Sequence, residues 1–468
     1  MPTPTRRSLL ATLAGSAVAA VMPSSLLQTG TANAATTCQP RVMAHYMPCF
    51  PTSLDNLPTA QDYYQTQYLQ PSGENYRYAK TGGYLRDRPM GVPVASGNWR
   101  VVNATREVAT AKAYGIDGFT VDILTLSGQF WDSAVALWRA AEATTGFAVM
   151  PMVDMDALGG TSASRIAAVL APLLKSRASA RIDGSIALGA YRPESQPITF
   201  WKTLISLLSR AIGSPVGFHA VLLDSSATNV DSFARISTHI GSWGPRSPEE
   251  IADEARVQSL VVAAGAKWIG VAATQDYRQV WGVYSEARNT ETLRRSWQMV
   301  TAKKAAWVHI TTWNDYSENT GIAPSVNHGY SWLRMTRTYA RRFKGQGDSR
   351  EEFVVLSARR QFARSIPTLA TSRATPTLSF PTTPTDRVEV FTQTVRPVTL
   401  VITVGNRTTR INHAAGAQVS TLPLGAGTVR VRAERAGAPV SSTVSTPGVL
   451  NKPHFGDYSY YAGSATIR

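Results

Sequence analysis

The sequence predicts an α/β fold: a (β/α)8, TIM-like barrel followed by a C-terminal β-sandwich. Three observations predict this architecture. Eight short runs of β-branched and aromatic residues alternate with helix-like stretches over about residues 40–345. A polar or aromatic residue closes each run. After Phe343 the composition changes to Pro, Thr and Ser, and then to short runs of alternating polarity.

The predicted strands are nearly continuous apolar runs, which is typical of a parallel sheet buried on both faces. An open, doubly wound sheet would give the same pattern and is the alternative. The eight runs are 41–46, 116–123, 147–154, 186–191, 217–224, 237–243, 267–273 and 306–313. Helical candidates between them include 104–114, 130–144, 163–178, 200–211 and 286–304.

Reactive side chains stand where these runs end. Barrel enzymes place their chemistry at the carboxyl ends of the strands, so this pattern favours the closed barrel over the open sheet. The residues at these ends are His45, Tyr46, Asp122, Asp154, Tyr191, Arg192, Asp224, Trp243, Gln275, Asp276, Trp313, Asn314 and Asp315.

The last part of the chain has a different pattern. The segment 366–386 is rich in Pro, Thr and Ser, and short alternating runs follow it, as in a β-sandwich. We therefore predict a catalytic domain over 35–345 and a C-terminal domain over 346–468. The alternating runs are 387–393, 397–404, 417–422 and 427–434.

Residues 1–34 have the pattern of an export signal. Arg6 and Arg7 precede a short apolar stretch, and Ala32-Asn33-Ala34 supplies a cleavage site. The paired arginines resemble a bacterial twin-arginine signal, and the apolar stretch is too short for the alternative, a membrane anchor. We predict a secreted protein with no membrane association after cleavage. Cys38 and Cys49 would then lie in an oxidising compartment, either bridged or free.

The charge is strongly positive. The 468 residues carry 47 Lys and Arg against 31 Asp and Glu, a formal net charge of +16, and 43% are hydrophobic. The apolar fraction excludes a mainly disordered chain. The positive charge makes nucleic acid a candidate partner, but it comes mostly from dispersed arginines, and no recognition helix or RNA-binding strand pair is evident. We therefore predict no nucleic-acid partner.

Two carboxylates dominate the candidate chemistry. Asp315 and Glu318 are three residues apart on the loop after the eighth predicted strand. Such a pair can work as general acid and general base in a glycosidase. The alternative is structural, with Asp315 capping a short helix and Glu318 as its capping-box partner.

Aromatic residues support a sugar substrate, because sugar rings stack their C–H faces on aromatic rings. The chain has 11 Trp and 17 Tyr, and Trp243 and Trp313 fall at strand ends. The long connection 47–103 is expected to wall a substrate cleft, and His45 is expected to bind substrate. Dispersed histidines, no G-x-S-x-G turn and no nucleotide-binding motif disfavour metal, serine-nucleophile and nucleotide chemistry, so no cofactor is predicted.

Several segments together resemble glycoside hydrolase family 71, the α-1,3-glucanases or mutanases. They are VMAHYM (42–47), AKAYGIDGFTVDI (111–123), VDMDAL (153–158), GSWGP (241–245), TTWNDYSENTGIAP (311–324), VFTQTVRPVTLVITVGNRTTRI (390–411) and HFGDYSYYAG (454–463). The resemblance implies a (β/α)8 barrel with a β-sandwich, and inverting endo-hydrolysis of α-1,3-glucan without a cofactor.

The family motif W-N-D-Y-G-E matches Trp313 to Glu318, with Ser317 in place of Gly. The match implies Asp315 and Glu318 as the catalytic pair, and we predict Glu318 as acid and Asp315 as base. We expect a monomer acting on a polysaccharide. The alternatives are a hydrolase of another α-linked polysaccharide, such as α-mannan, and an inactive wall-binding lectin. Asp122 and Asp154 would orient water or stabilise the transition state, and the subsites would be shaped by His45, Tyr46, Trp243, Trp313, Asn314 and Tyr316.

Overall fold

The computed structural model describes residues 41–363, 377–378, 382–451 and 456–468. The predicted export signal and Cys38 lie outside these ranges, so the signal and the Cys38–Cys49 bridge stay predictions. Most of the Pro, Thr and Ser segment 366–386 also lies outside them. No helix among the described residues is both long enough and apolar enough to cross a bilayer.

Eight parallel strands form a closed barrel. Each strand pairs with the next one along the chain, and the first pairs with the last through Val42–Val308, Met43–His309 and Ala44–Ile310. The open-sheet alternative is therefore wrong. The strands are β1 (Val42–Tyr46), β2 (Gly118–Ile123), β3 (Ala148–Asp154), β4 (Ser185–Tyr191), β5 (Val216–Leu222), β6 (His239–Ser242), β7 (Lys267–Ala272) and β8 (Trp307–Ile310).

A helix follows every barrel strand, as a parallel sheet requires for its crossovers. Polar side chains cap the N-termini of three of these helices. Asn98, Ser162 and Ser226 each accept a hydrogen bond from a backbone N–H of the first turn. The helices are α1 (Trp99–Ala113), α2 (Gly128–Glu142), α3 (Ala163–Leu174), α4 (Ile198–Ile212), α5 (Ala227–Ala234), α6 (Ile251–Ala263), α7 (Glu291–Ala302) and α8 (Ser331–Phe343).

Alternation along β1 separates two cores. Val42, Ala44 and Tyr46 face outward and pack in the layer between strands and helices. Met43 faces inward with residues of other strands, and His45 shares that inward face, since side chains two apart lie on one side of a strand. The direction of each side chain at the end of β1 follows from this parity.

The C-terminal region forms two antiparallel sheets. Their strands are β9 (Phe353–Arg359), β10 (Arg387–Thr394), β11 (Val398–Val404), β12 (Arg407–His413), β13 (Gly416–Pro423), β14 (Gly427–Arg435), β15 (Val444–Val449) and β16 (Tyr460–Thr466). The first sheet has the order β13-β10-β9-β16, and the second has the order β12-β11-β14 with β15 also paired to β14.

The two sheets share one apolar core, to which Leu356, Val390, Leu400 and Val431 contribute. This arrangement is compatible with the predicted β-sandwich. The opposite face of the first sheet packs on the barrel, because Phe353 belongs to the same core as the barrel helices.

A buried ion pair joins the C-terminal domain to the barrel. Arg359 of β9 donates to Glu286, in the segment before α7, at 2.8 Å, and Tyr460 donates to the other oxygen of Glu286 at 2.6 Å. Nearby, Arg294 of α7 pairs with Glu389 of β10 at 3.1 Å. Buried charges are tolerated when their partners are in place, so these contacts fix how the domains meet.

Candidate active site

Backbone hydrogen bonds close the loop after β8 and join it to the end of β1. The Trp313 N–H donates to the carbonyl of His45 at 2.7 Å, and the Ala323 N–H donates to the carbonyl of Trp313 at 2.8 Å. Inside the loop, the Thr320 N–H donates to the carbonyl of Asp315 at 3.2 Å. The loop therefore presents Asp315 and Glu318 at the carboxyl end of the barrel, next to the end of β1.

The Asp315 carboxylate is held by three donors. Its Oδ1 accepts from the Ser317 hydroxyl at 2.7 Å, from the Ser317 N–H at 3.1 Å and from the Glu318 N–H at 3.1 Å. The Asp315 N–H itself donates to Thr312 Oγ1 at 2.9 Å. Oδ1 is thus bonded to the loop, and these bonds fix the orientation of the carboxylate.

The alternative for Asp315 and Glu318 was a capping box, and the structure has one of its two hydrogen-bonded halves. Asp315 does cap the turn that follows it, as the expected helix cap would. A capping box would also need Glu318 to accept the Asp315 N–H, but Thr312 takes that bond. Glu318 Oε1 instead lies 3.3 Å from Nη1 of Arg278.

Arg278 connects Glu318 to a further aspartate and a second arginine. Arg278 binds Asp276 through Nε at 2.8 Å and Nη2 at 2.7 Å, and Nε of Arg246 lies 3.6 Å from Asp276. Burial lowers the pKa of Arg246, against the attraction of Asp276 and Glu318. Burial also acts to lower the pKa of Arg278, but the charges of Asp276 and Glu318 outweigh it and raise that pKa.

Both carboxylates line one cavity of about 280 Å³. Most of its wall comes from the connection between β1 and α1, which was expected to wall a cleft. A second cavity of about 510 Å³ adjoins it across Leu124, Gln129 and Phe130. The aromatic side chains of the first cavity are Phe50, Tyr63, Tyr84 and Phe130.

A second group of predicted residues meets at the mouth of the barrel interior. His45 Nε2 lies 3.7 Å from Asp122 Oδ2, and its Nδ1 lies 3.2 Å from the Thr120 hydroxyl. The Trp243 ring packs edge-on against His45 and Tyr191, with centroids 4.9 Å and 4.8 Å away. The structure thus brings His45, Asp122 and Trp243 together, as the barrel prediction requires.

Asp154 ends β3 and caps the short helix Met155–Leu158. Its Oδ1 accepts from the Asp156 N–H at 2.7 Å and from the Ala157 N–H at 3.2 Å. Asp154 therefore has a structural role, because it sets the course of the β3 loop, and its role toward water or the transition state stays a prediction.

Tyr46 and Trp313 do not shape subsites, and that expectation is corrected. Both face the helix layer, where the Tyr46 hydroxyl donates to Glu107 at 2.9 Å and the Trp313 indole N–H donates to the same carboxyl at 3.3 Å. The Trp313 ring packs 5.1 Å from Phe119. Burial raises the pKa of Glu107 to about 7.

Asn314 and Tyr316, which were expected as supporting or substrate-binding residues, contact the β1 connection. Asn314 accepts from the Met47 N–H at 2.7 Å and donates to the carbonyls of Met47 and Phe50 at 3.0 Å and 2.6 Å. Tyr316 packs edge-on against Phe50 and Tyr64 and is 2% exposed. Both residues hold the β1 connection against the carboxylate loop and act behind the cavity wall.

The chain matches a known protein family. Residues 94–467 match the model of Glycosyl hydrolase family 71. The chain belongs to this family. The predicted resemblance is confirmed, and the protein is a glycoside hydrolase. None of the curated proteins matches the chain significantly.

Among solved structures, this family 71 chain is similar to a GH99 endo-alpha-mannosidase from Bacteroides thetaiotaomicron in complex with BIS-TRIS-propane. The identity is 14% and the TM-score 0.49, over 60% of this chain and 95% of that one. It is also similar to an FMN-binding beta-glucuronidase from Facaelibacterium prausnitzii L2-6, with 11% identity and a TM-score of 0.43, over 75% of this chain and 54% of that one.

Sequence reasoning missed two arginines of the candidate site and a buried glutamate behind it. Arg246 follows the end of β6, and Arg278 follows the end of β7. The residues predicted at these strand ends included Asp276 but neither of these arginines. Glu107 lies on α1, far from any strand end. A signal existed for the arginines, because a buried Glu318 requires a partner of opposite charge. Among the described residues, no three His, Cys, Asp or Glu side chains form a metal-binding group.

Proposed function

We propose that the protein is a secreted enzyme that hydrolyses α-1,3-glucan within the chain and inverts the anomeric configuration. The observation that carries the proposal is the placement of Asp315 and Glu318 in one cavity with different partners. Two carboxyls in different environments can hold different protonation states, which is what an acid and a base in one site need.

The hydrogen bonds support Asp315 as the general base. Three donors on Oδ1 fix the orientation of its carboxyl group, and Oδ2 would take a proton from the attacking water. Glu318 would protonate the glycosidic oxygen. Its partner Arg278 makes its shorter contacts with Asp276, so the positive charge beside Glu318 is already partly neutralised.

The cavity wall supports a sugar substrate. Phe50, Tyr63, Tyr84 and Phe130 offer aromatic faces, and such rings stack on the apolar faces of sugars. These side chains replace Tyr46, Trp313 and Tyr316 in the proposed subsites. His45, Asp122 and Trp243 would bind the sugar at the barrel mouth. The adjoining cavity along Leu124 and Phe130 leaves room for further sugar units, as internal cleavage requires.

Substrate and stereochemistry can be tested together. The purified enzyme is incubated with α-1,3-, α-1,4- and α-1,6-glucans and with α-mannan, and reducing ends are measured. We expect release from α-1,3-glucan, oligosaccharides as early products, and β-anomers in the first NMR spectra. Release of reducing ends from α-mannan alone would show that the substrate is a mannan and not α-1,3-glucan. A first product that is the α-anomer would refute inversion. Binding without release from any polymer would indicate a lectin.

Export is a separate part of the proposal. The segment 1–34 carries Arg6 and Arg7 before its apolar stretch. Fused to a reporter that is active only after folded export, it should direct secretion, and replacing both arginines by lysine should block it. Secretion that is unchanged in the lysine variant would contradict twin-arginine export.

A further inference from the structure

The segment between β7 and α7 lies between the carboxylate loop and the C-terminal domain. On the side of the site, the Tyr277 N–H donates to the Glu318 carbonyl at 2.9 Å, and Asn319 donates to the Tyr277 carbonyl at 2.7 Å. The next residue, Arg278, lies 3.3 Å from the Glu318 carboxylate. This segment therefore contacts both the backbone and the side chain of Glu318.

The opposite side of the segment is bound to the C-terminal domain. The Tyr460 N–H donates to Gln275 Oε1 at 2.7 Å, and the Tyr277 hydroxyl donates to the Gly456 carbonyl at 2.8 Å. The Tyr277 and Tyr284 rings pack on Tyr458, with centroids 5.7 Å and 4.6 Å away. Residues 456–460 thus fix the segment from outside the barrel.

The same stretch of the C-terminal domain reaches the connection that lines the cavity. Arg86, which is fully buried, donates to the Gly456 carbonyl at 3.4 Å and to the carbonyls of Gly82 and Gly83 at 3.2 Å and 3.3 Å. One carbonyl of the C-terminal domain therefore joins two barrel loops that border the site.

We propose that Arg278 is a positioning residue for Glu318, and that residues 456–460 of the C-terminal domain hold Arg278 in place. The C-terminal domain is then part of the catalytic apparatus. The proposal rests on the proposed function, since it takes Glu318 as the acid. It gives the domain a role in the chemical step that is separate from any binding of polysaccharide.

Four charged groups near Glu318 act on the charge of its carboxyl. Arg278 and Arg246 attract its negative form, while Asp276 and Asp315 repel it. Removing Arg278 should make the Glu318 carboxylate less stable, and removing Asp276 should make it more stable. The basic limb of the pH–rate profile reports loss of the acid's proton, so the two changes should move that limb in opposite directions.

The first experiment compares Arg278→Gln and Asp276→Asn on a soluble α-1,3-glucan oligosaccharide. We expect the basic limb of kcat/KM to move up by about 1 to 3 pH units in Arg278→Gln and down in Asp276→Asn, as for a charge within about 4–6 Å. Arg278→Lys keeps the charge and should restore the limb to within about half a unit. Either single variant could fail to fold with an unpaired buried charge. The double variant removes both charges, and because the two expected shifts are opposite, its limb should lie closer to that of the wild type than the shift expected for Arg278→Gln alone.

The second experiment weakens the contacts between residues 456–460 and the segment between β7 and α7 without changing any charge. The double variant Gln275→Met with Tyr277→Phe removes the hydrogen bonds to Tyr460 and Gly456. Its kcat should fall about 3- to 10-fold per bond lost, with little change in KM, and its basic limb should move in the direction of Arg278→Gln. The matched control is Thr392→Val, which removes a 2.8 Å bond to His413 inside the C-terminal domain and should leave kcat and the profile unchanged.

Three results would overturn the proposal. They are unchanged pH profiles in the variants of Arg278 and Asp276, shifts in the same direction, and a Gln275→Met, Tyr277→Phe double variant that behaves like Thr392→Val. These results differ from failure of the proposed function. If Glu318→Gln abolishes turnover while the Arg278 profile is unmoved, only the positioning role is wrong. If Glu318→Gln is fully active, the acid assignment is wrong as well.

Discussion

Glu107 gives a prediction that can be worked from the structure. It is 7% exposed, and its two oxygens accept from Tyr46 and Trp313, the residues next to the β1 connection and the carboxylate loop. Burial raises its pKa from an ordinary 4.5 to about 7. The folded protein therefore binds this proton more tightly than the unfolded chain does.

The sign of the pH dependence follows from that shift. The stability contributed by the bound proton is fully present below pH 4.5 and is lost as the pH rises through 7. A shift of this size corresponds to a loss of about 3 kcal/mol, of which about 2 to 3 kcal/mol falls between pH 5 and pH 8. Glu107→Gln is neutral at every pH and can still bond Tyr46 and Trp313, so it should not show this loss.

The assay is urea unfolding of the wild type and Glu107→Gln at pH 5, 6, 7 and 8. The stability of the variant relative to the wild type should rise with pH by about 2 to 3 kcal/mol. The control is Glu291→Gln on α7, where the exposed pair with Arg295 contributes at most about 1 kcal/mol. A constant difference between Glu107→Gln and wild type across this range would refute the reasoning.

Two further predictions concern the loop itself. Ser317→Ala removes the 2.7 Å hydrogen bond to Asp315 Oδ1. In steady-state kinetics kcat should fall about 10-fold with KM little changed, because one hydrogen bond to a charged group contributes about 1.5 kcal/mol. A rise in KM as large as the fall in kcat would contradict this. Asn314→Ala removes three bonds to Met47 and Phe50; unfolding should become easier by about 2 to 3 kcal/mol, measured by urea titration, and a loss under 0.5 kcal/mol would contradict this role.

The barrel could be predicted because its strands carry a strong local pattern. All eight predicted runs overlap barrel strands, and the predicted run 267–273 differs from Lys267–Ala272 by one residue. The sheet strand Arg407–His413 was missed. It is mostly polar and largely exposed, so it lacks the apolar alternation of its neighbour Val398–Val404.

The site could be predicted only in part, because only some of its residues lie in a local sequence pattern. Asp315 and Glu318 were found because their spacing and their place after a strand are local features. Tyr46 was assigned to the cavity although strand parity places it opposite His45, so this error could have been avoided. Arg278 depends on the fold of an irregular segment and on the C-terminal domain, which a local pattern does not specify.

The central claim is that Asp315 and Glu318 carry out the hydrolysis. The most direct measurement is the initial rate on a soluble α-1,3-glucan oligosaccharide for Asp315→Asn, Glu318→Gln and the control Asp231→Asn, an exposed carboxyl on α5. We predict that each of the first two loses at least about 100-fold in kcat, as removal of a general acid or base does, while the control keeps the wild-type rate. Wild-type turnover in either Asp315→Asn or Glu318→Gln would contradict the account.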